Sequence, residues 1–464
     1  MNSLNPTLFE IFRKLANSTP TATAVRHESV EYTYGELLEM ANSAEAAIFE
    51  LLSKCGTQTP DPIFICYWGE NHPLALVLPL VCSKLGLTYV PISPLYPEER
   101  VKEIVTSLNG FLFGFENLGS RPKLKSTDLL ERRERQEHLL GFYTSGTTGA
   151  PKLALIPESQ ILTNTEAAIQ AQNLGRTDRV LAGLSLCHSG GLGIQALPGL
   201  LSGARVNLVR GLTPDLLADS KDDSNVMLLV PSFLQKLKLS RHNDQIIWKR
   251  FRLVGIGSAA FTADLIAPLL DAGTTVMNIY GLTEAGPVLF TENLKRSEVP
   301  SIGLATTDTE WRIDPQTAEL LVRGRIAQTV YRSENGIQRV HDENGWFNTR
   351  DRVELRNGKL YFLGRTNATF NIGGMKVHAE KVEAAIEGIP GVDGCLLVSR
   401  KHSVFGEILV AKVELTDSSL SKRQLIKMLR TRHPELTRYE IPREIEFVEK
   451  LARSTIGKKL RGRA

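Results

Sequence analysis

The residues with most to offer chemically lie in the run Tyr143–Lys152, which reads Tyr-Thr-Ser-Gly-Thr-Thr-Gly-Ala-Pro-Lys. Ser145, Thr147 and Thr148 bring hydroxyls, and Gly146 and Gly149 let the backbone turn and come close to a ligand. Lys152 adds a compact positive charge. Together these groups suit a polyphosphate. A Gly/Thr hairpin turn is the plainer reading, but it needs neither a lysine nor a row of hydroxyls. The run is not the GxxxxGK[ST] loop of common NTPases. Lys152 follows Ala150 and Pro151, and no Ser or Thr comes after it.

Four further stretches carry candidate chemistry. Asn278–Gly286 reads Asn-Ile-Tyr-Gly-Leu-Thr-Glu-Ala-Gly at the end of a buried strand, where open α/β sheets place their ligands. There Tyr280 offers a flat face for a base, Thr283 a hydroxyl for a phosphate, and Glu284 a hard oxygen for Mg2+. Taken alone, Glu284 reads more readily as a solvated carboxylate. Gly257-Ser258-Ala259 is a similar strand-end turn. Asp351, after Asn348-Thr349-Arg350, could accept both hydroxyls of a ribose or be an ordinary hairpin residue. Gly364-Arg365-Thr366-Asn367 precedes Ile372-Gly373-Gly374-Met375-Lys376-Val377, and Arg453-Ser454-Thr455-Ile456-Gly457-Lys458 stands near the C-terminus. A basic tail by itself means no more than solubility.

The elements that would position these groups follow from periodicity. Apolar residues at helical spacing mark helices over 8–17 and 36–53. A buried strand over Pro62–Tyr67, a helix over Pro73–Leu85 and a strand over Tyr89–Ile92 make a parallel βαβ unit. Helices over Ile161–Ala171, Gly193–Leu201, Pro231–Leu239 and Ala263–Asp271 alternate with strands over Arg179–Leu184, Arg205–Leu208, Val226–Val230, Phe251–Ile256 and Val276–Tyr280. The Tyr143–Lys152 run itself reads as strand, tight loop, strand. After about residue 295, strands over Glu310–Ile313, Glu319–Arg323, Asp351–Leu355 and Lys359–Leu363 are separated by Asn-Gly turns that favour hairpins. This predicts an antiparallel β module appended to the body. Beyond Gly364-Arg365, helices over Glu380–Ile389 and Leu420–Thr431 and strands over Gly394–Ser399, Glu407–Glu414 and Glu444–Glu449 predict a compact α+β unit. The fold class is α/β: a large N-terminal domain of parallel-sheet layers with its β module, then a small mobile α+β domain. The boundaries expected are 1–364, a hinge at 365–367, and 368–464.

At 464 residues the chain exceeds one core. The net charge of +4 is too small to argue for nucleic acid. Residues 366–464 hold 18 Lys/Arg against 12 Asp/Glu, which is +6 and leaves −2 for the rest. That modest surplus fits a polyanionic small ligand or a solvated surface equally. The five cysteines (Cys55, Cys66, Cys82, Cys187 and Cys395) are odd in number, scattered and without a CxxC pair. They point to a reducing compartment and away from structural zinc. Neither a secretory signal nor a membrane span is read, so a soluble cytoplasmic protein is expected.

In this order the five stretches resemble the adenylate-forming superfamily of acyl-CoA ligases, nonribosomal adenylation domains and firefly-type luciferases. The resemblance spans nearly the whole chain and rests chiefly on the hydroxyl-rich loop and Tyr280-Gly281-Leu282-Thr283-Glu284. Within it, Leu184–Ile194 and the compact length look most like o-succinylbenzoate–CoA ligase-like enzymes. The resemblance implies activation of an aromatic or short-to-medium carboxylic acid by ATP with Mg2+, then transfer to the thiol of CoA. A free-standing enzyme loading an acyl carrier protein is the alternative, and a catalytically silent nucleotide- or acyl-binding homologue the remote one.

The same resemblance implies residue roles. Ser145, Thr147, Thr148 and Lys152, with Thr144, Gly146 and Gly149 completing the loop, would hold the β and γ phosphates. Gly257, Ser258 and Ala259 would line the adenine pocket, with Tyr280 stacking on the ring between Asn278 and Gly281. Thr283 would touch the α-phosphate, Glu284 would hold Mg2+, and Asp351 would bind the ribose with Arg365 beside it. Lys458 would enter the site for adenylation, Gly373 and Gly374 would line the pantetheine channel, and His188 would lie near the acyl group; a satisfied core histidine is its plainer reading. Amino-acid-activating relatives carry an Asp where Ser189 stands, so an α-amino acid is not expected. The chain departs from the pattern at Asn367, where the hinge usually has Asp or Lys, and at Ala452 and Ser454, which replace Pro and Thr.

Overall fold

The computed structural model describes residues 6–53, 62–114, 117, 136–144, 152–219, 222–239, 245–295, 300–325, 327–333, 336–366, 369–372, 375–402, 406–416, 419–434, 436–453 and 459. Two large sheets dominate the body. The first has nine strands, and its centre is six parallel ones: Thr275–Leu282, Leu253–Gly257, Val226–Leu229, Arg179–Ala182, Arg205–Leu208 and Thr23–His27. The second has seven, with Thr88–Ile92 parallel to both Phe64–Trp68 and His138–Thr144. Most central strands are buried along their length, as parallel strands covered on both faces must be.

Helix Pro73–Leu85 shows how sequence sets position. It is apolar all round, and a helix without a polar face has to be buried; Leu74 to Cys82 are at most 1% exposed. Pro73 occupies its first turn, His72 Nδ1 accepts from the Leu74 amide, and Gly86 closes it at φ 64°. Helix Glu158–Gln172 is buried for another reason. Asn164 and Gln172 send amide donors to the carbonyls of Gly193 (2.9 Å) and Ile194 (2.9 Å), and Asn164 Oδ1 accepts from the Val288 amide. Those bonds serve a π-helical turn over Gly191–Ala196. The expected regular helix over Gly193–Leu201 is therefore a π turn running into a short α-helix, Leu197–Leu201. Such turns are commonly found beside functional sites.

The four strands predicted for the β module share one sheet. Glu310–Ile313, Glu319–Arg323, Phe347–Arg356 and Lys359–Arg365 form a four-stranded antiparallel sheet. Val330–Ser333 and Gly336–Arg339 instead join the seven-stranded sheet, where Val330–Ser333 pairs with Lys152–Pro157. The apolar flank Leu153–Leu155 supplies an edge that a β-rich segment can complete. The strand Gly286–Asn293, which periodicity did not predict, returns antiparallel to Thr275–Leu282. The C-terminal unit has its own core around Val382, Ile386, Leu397, Val413, Leu425 and Leu429. It contains a three-stranded sheet, Val392–His402, Gly406–Leu415 and Glu444–Val448, and a hairpin of Thr369–Ile372 with Met375–His378. Cys66, Cys82, Cys187 and Cys395 are buried thiols, and Cys55 lies outside the described residues.

Candidate active site

The site grows from the ends of two parallel strands. Leu253–Gly257 lies beside Thr275–Leu282 with Gly257 opposite Ile279. Gly257 is tight against its neighbour, since a Cβ there would sit 2.8 Å from the Ile279 carbonyl oxygen. Ser258 then takes φ 74°, which turns the chain off the sheet and leaves Ser258 and Ala259 exposed. The neighbouring strand runs past its expected end at Tyr280 to Leu282, turns through Thr283–Ala285, and comes back as Gly286–Asn293. Gly281 is required where the two legs meet, because a Cβ would fall 2.3 Å from the Pro287 backbone. Asn278 is buried lower on the strand with its amide given to Ser301 O at 2.7 Å.

Tyr280, Asp351 and Arg365 form one group. The Tyr280 hydroxyl donates to Asp351 Oδ2 at 2.6 Å, and Arg365 Nε donates to Asp351 Oδ1 at 2.7 Å. The register of Phe347–Arg356 against Lys359–Arg365 sets Asp351 directly across from Arg365. Arg350, at φ 61°, and the Thr349 hydroxyl, which accepts from the Asp351 amide, shape the approach to the carboxylate. Asp351 is 1% exposed, so its charge depends on these partners. Burial works against the Arg365 charge, but the Asp351 carboxylate outweighs it and holds the guanidinium more firmly protonated than usual. Burial first, and Asp351 second, push the Tyr280 phenol far above its ordinary range. Each Asp351 oxygen takes one of these bonds.

A second group gathers round Glu284. Tyr331 donates its hydroxyl to Glu284 Oε1 at 2.6 Å, and the Lys152 ammonium lies 5.2 Å from the centre of the Tyr331 ring. Thr144 and Lys152 are paired across the strands that flank the hydroxyl-rich loop, the Thr144 hydroxyl reaching Lys152 O at 3.4 Å. A third contact joins Ser189 to the turn after Thr275–Leu282: Ser189 Oγ and Thr283 Oγ1 are 2.8 Å apart. His188 is next to it, with Nε2 enclosed and without a hydrogen-bond partner among the described residues. Burial pulls the His188 ring down to about 4, so it is neutral at physiological pH.

Thr144, Lys152, Thr283, Glu284, Tyr280, Asp351 and Arg365 thus fall into three groups of contacts. Ser145, Gly146, Thr147, Thr148, Gly149, Asn367, Gly373, Gly374 and Lys458 lie outside the described residues. Lys459, one residue beyond Lys458, is described. Its ammonium is committed to Glu387 (2.7 Å), Glu383 (3.2 Å) and Cys395 O (2.6 Å), so it does not serve the nucleotide in this arrangement. Sequence reasoning missed Tyr331 and the Ser189–Thr283 contact. Tyr331 is an ordinary strand residue in its local sequence, and only the pairing of its strand with Lys152–Pro157 reveals it.

As for a cation, no group of three or more His, Cys, Asp or Glu side chains that could hold one occurs among the described residues. Glu284 as a single carboxylate fits Mg2+, which keeps several waters and is bound through one or two carboxylates and the substrate's phosphates. Likewise, among the described residues no helix is long and apolar enough to cross a membrane.

Comparison with known proteins shows the family and the fold. The family described as AMP-binding enzyme matches residues 12–109 and 116–336, and its C-terminal domain family matches residues 381–458. Feruloyl-CoA synthase of an Amycolatopsis species is 26% identical over 494 positions, covering 96% of each chain. Indoleacetate–CoA ligase of Aromatoleum aromaticum is 26% identical over 504 positions, covering 97% of this chain and 96% of its own. The o-succinylbenzoate CoA synthetase of Bacillus subtilis, in complex with its acyl-adenylate, superposes with a TM-score of 0.81 at 21% identity, over 99% of this chain and 98% of that one. ATP-bound MatB of Rhodopseudomonas palustris gives 0.81 at 21% identity, over 98% and 97%. These likenesses establish the fold.

Proposed function

The chain belongs to the AMP-binding enzyme family, and from that membership we propose that it is an AMP-forming acid–thiol ligase that couples a carboxylic acid to CoA at the expense of ATP. The observation that carries the proposal is the Tyr280–Glu284 turn. One short segment joins Tyr280, hydrogen-bonded to Asp351, with Thr283, bonded to the acyl-side Ser189, and with Glu284, bonded to Tyr331 beside Lys152. Groups for a nucleoside, an α-phosphate and a polyphosphate therefore follow one another along the chain.

The first chemical difficulty is that a carboxylate must approach a polyanion. Lys152, Arg365 and Lys458 would lower that repulsion with fixed positive charge. Glu284 would hold Mg2+, which supplies charge neutralisation on the phosphates and the departing pyrophosphate. Asp351 would accept the ribose hydroxyls, and Ser258 and Ala259 would border the base with Tyr280. Thr283 would donate to the α-phosphate, where the acid oxygen forms its bond to phosphorus as the bond to pyrophosphate breaks. The neutral His188 and the small Ser189 and Gly190 border the acyl side. No carboxylate stands at Ser189 to pair an ammonium, and the aromatic acids of the two CoA-ligase relatives set the first class to test. In the second step the CoA thiol gives up its proton, its sulfur bonds to the acyl carbon, and AMP leaves. We assign residues 1–364 to the body, 365–367 to the hinge, and 368–464 to a unit that would withdraw Lys458 and present Gly373 and Gly374 for that step.

The test is pyrophosphate release over a panel of aromatic and short-chain acids, with and without CoA. Lys458→Ala should lower release by roughly a hundred- to a thousandfold, while thioester formation from supplied acyl-adenylate persists. Undiminished release in that variant contradicts the assignment. A carrier-protein acceptor would show as acid-dependent release whose product transfers to a phosphopantetheinyl protein and not to CoA.

A further inference from the structure

We infer that Tyr331 is a positioning residue for the divalent cation: its hydroxyl fixes one oxygen of Glu284 so that the other is presented to the metal, and its ring seats Lys152 alongside. The inference rests on the reading of Glu284 as the cation's ligand. It deepens that reading by naming a residue to which no motif of the sequence pointed.

The placement follows from strand register. Tyr331 lies opposite Ala154 in the antiparallel pairing of Val330–Ser333 with Lys152–Pro157. Side chains two residues apart share a face of a strand, so Lys152 is the diagonal neighbour of Tyr331. The 5.2 Å separation of the Lys152 ammonium from the ring centre is the outcome. On its far side the phenol reaches the turn after Thr275–Leu282 and donates to Glu284 Oε1 at 2.6 Å. That is a short, charge-assisted bond. A phenol is an O–H donor at working pH. A carboxylate pinned through one oxygen by a neutral donor keeps its charge and loses its freedom to rotate. That is what a metal ligand needs when the protein supplies so few of them. A charged donor such as arginine in the same place would have cancelled the negative charge that attracts the cation.

The experiment uses the full chain and ATP, with no acid present, so that binding is read without turnover. ATP affinity is measured calorimetrically across a Mg2+ series for the parent, Tyr331→Phe and Tyr331→Leu. In the Phe variant the Mg2+ concentration that gives half of the cation-dependent gain should rise about tenfold, and Mg2+-free ATP affinity should match the parent. The Leu variant should show the same rise and also lose affinity without Mg2+, because the seat of Lys152 is gone. An unchanged Mg2+ midpoint in the Phe variant overturns the inference. So does a loss of equal size with and without Mg2+, which is how a merely structural role or a misfolded variant would register. If the parent binds ATP without any dependence on Mg2+, the assignment of Glu284 fails before that of Tyr331 is reached.

Discussion

At the residue scale, His188 is the most informative group in the site. Its ring is enclosed, and burial holds it near 4 in the folded chain against an ordinary 6.5. A histidine whose folded value lies below its unfolded value is protonated more readily when the chain unfolds. Its contribution to stability is complete above pH 6.5 and is lost as the pH falls towards 4, by about 3 kcal/mol in all. His72, held near 4 by burial and by the neighbouring His27, loses stability in the same window. His188→Gln should therefore flatten the fall of the urea midpoint between pH 6.5 and 4 but leave the His72 share. An identical slope in both proteins would mean that the ring is solvated. The same depressed value leaves the His188 ring neutral near neutral pH.

At the scale of elements, the described residues on either side of 454–458 are both anchored. Arg453 and Lys459 face each other in an antiparallel bridge, one on each side of residues 454–458. Arg453 pairs with Glu414 at 2.9 Å and Asp393 at 3.4 Å. Lys459 pairs with Glu387 and Glu383, whose side chains are 17% and 3% exposed. Burial opposes the Lys459 charge, but the two carboxylates outweigh it and raise its affinity for the proton. Both ends of the segment carrying Lys458 are thereby tied to helix Ala379–Glu387 and the Val392–His402 and Gly406–Leu415 strands. Lys459→Met would take this counter-charge from the buried Glu383 and the half-buried Glu387, a change that costs about 3 kcal/mol. The expected outcome is a lower melting point for the C-terminal unit and a greater loss of pyrophosphate release than of thioester formation from acyl-adenylate. Equal losses in the two half-reactions would show that the tether acts only on stability.

Over the whole molecule, contacts among the described residues join the C-terminal unit to the body near the proposed hinge. Arg352 Nη1 lies 3.1 Å from His378 Nε2, and a guanidinium has no lone pair to give, so the imidazole is the acceptor. The Arg365 amide reaches Glu380 Oε2 at 3.4 Å, and the Thr366 hydroxyl donates to Glu319 Oε1 at 2.5 Å on the body side. If the unit turns between half-reactions, the Arg352–His378 bond is among those that break. Arg352→Ala should then shift the ratio of thioester formation to adenylation by roughly threefold in favour of the former, the effect of losing a net hydrogen bond worth about 0.6 kcal/mol. Single-turnover rates of the two steps give that ratio directly, and an unchanged ratio would mean that this contact survives the motion.

The sequence alone determined the elements and the family, because both depend on short-range pattern. The buried helix Pro73–Leu85, the strand Arg205–Leu208 and the helix Ala263–Asp271 follow from apolar spacing and from Pro and Gly at their ends. Tyr280, Thr283 and Glu284 are legible because they lie within one short turn. Pairing between distant strands decided the rest. Val330–Ser333, a strand that periodicity did not predict, pairs with the edge of Lys152–Pro157, and that pairing sets Tyr331 between Glu284 and Lys152. Register likewise set Asp351 across from Arg365. No local preference encodes such a meeting, since it is fixed only when two segments far apart in sequence satisfy each other's hydrogen bonds.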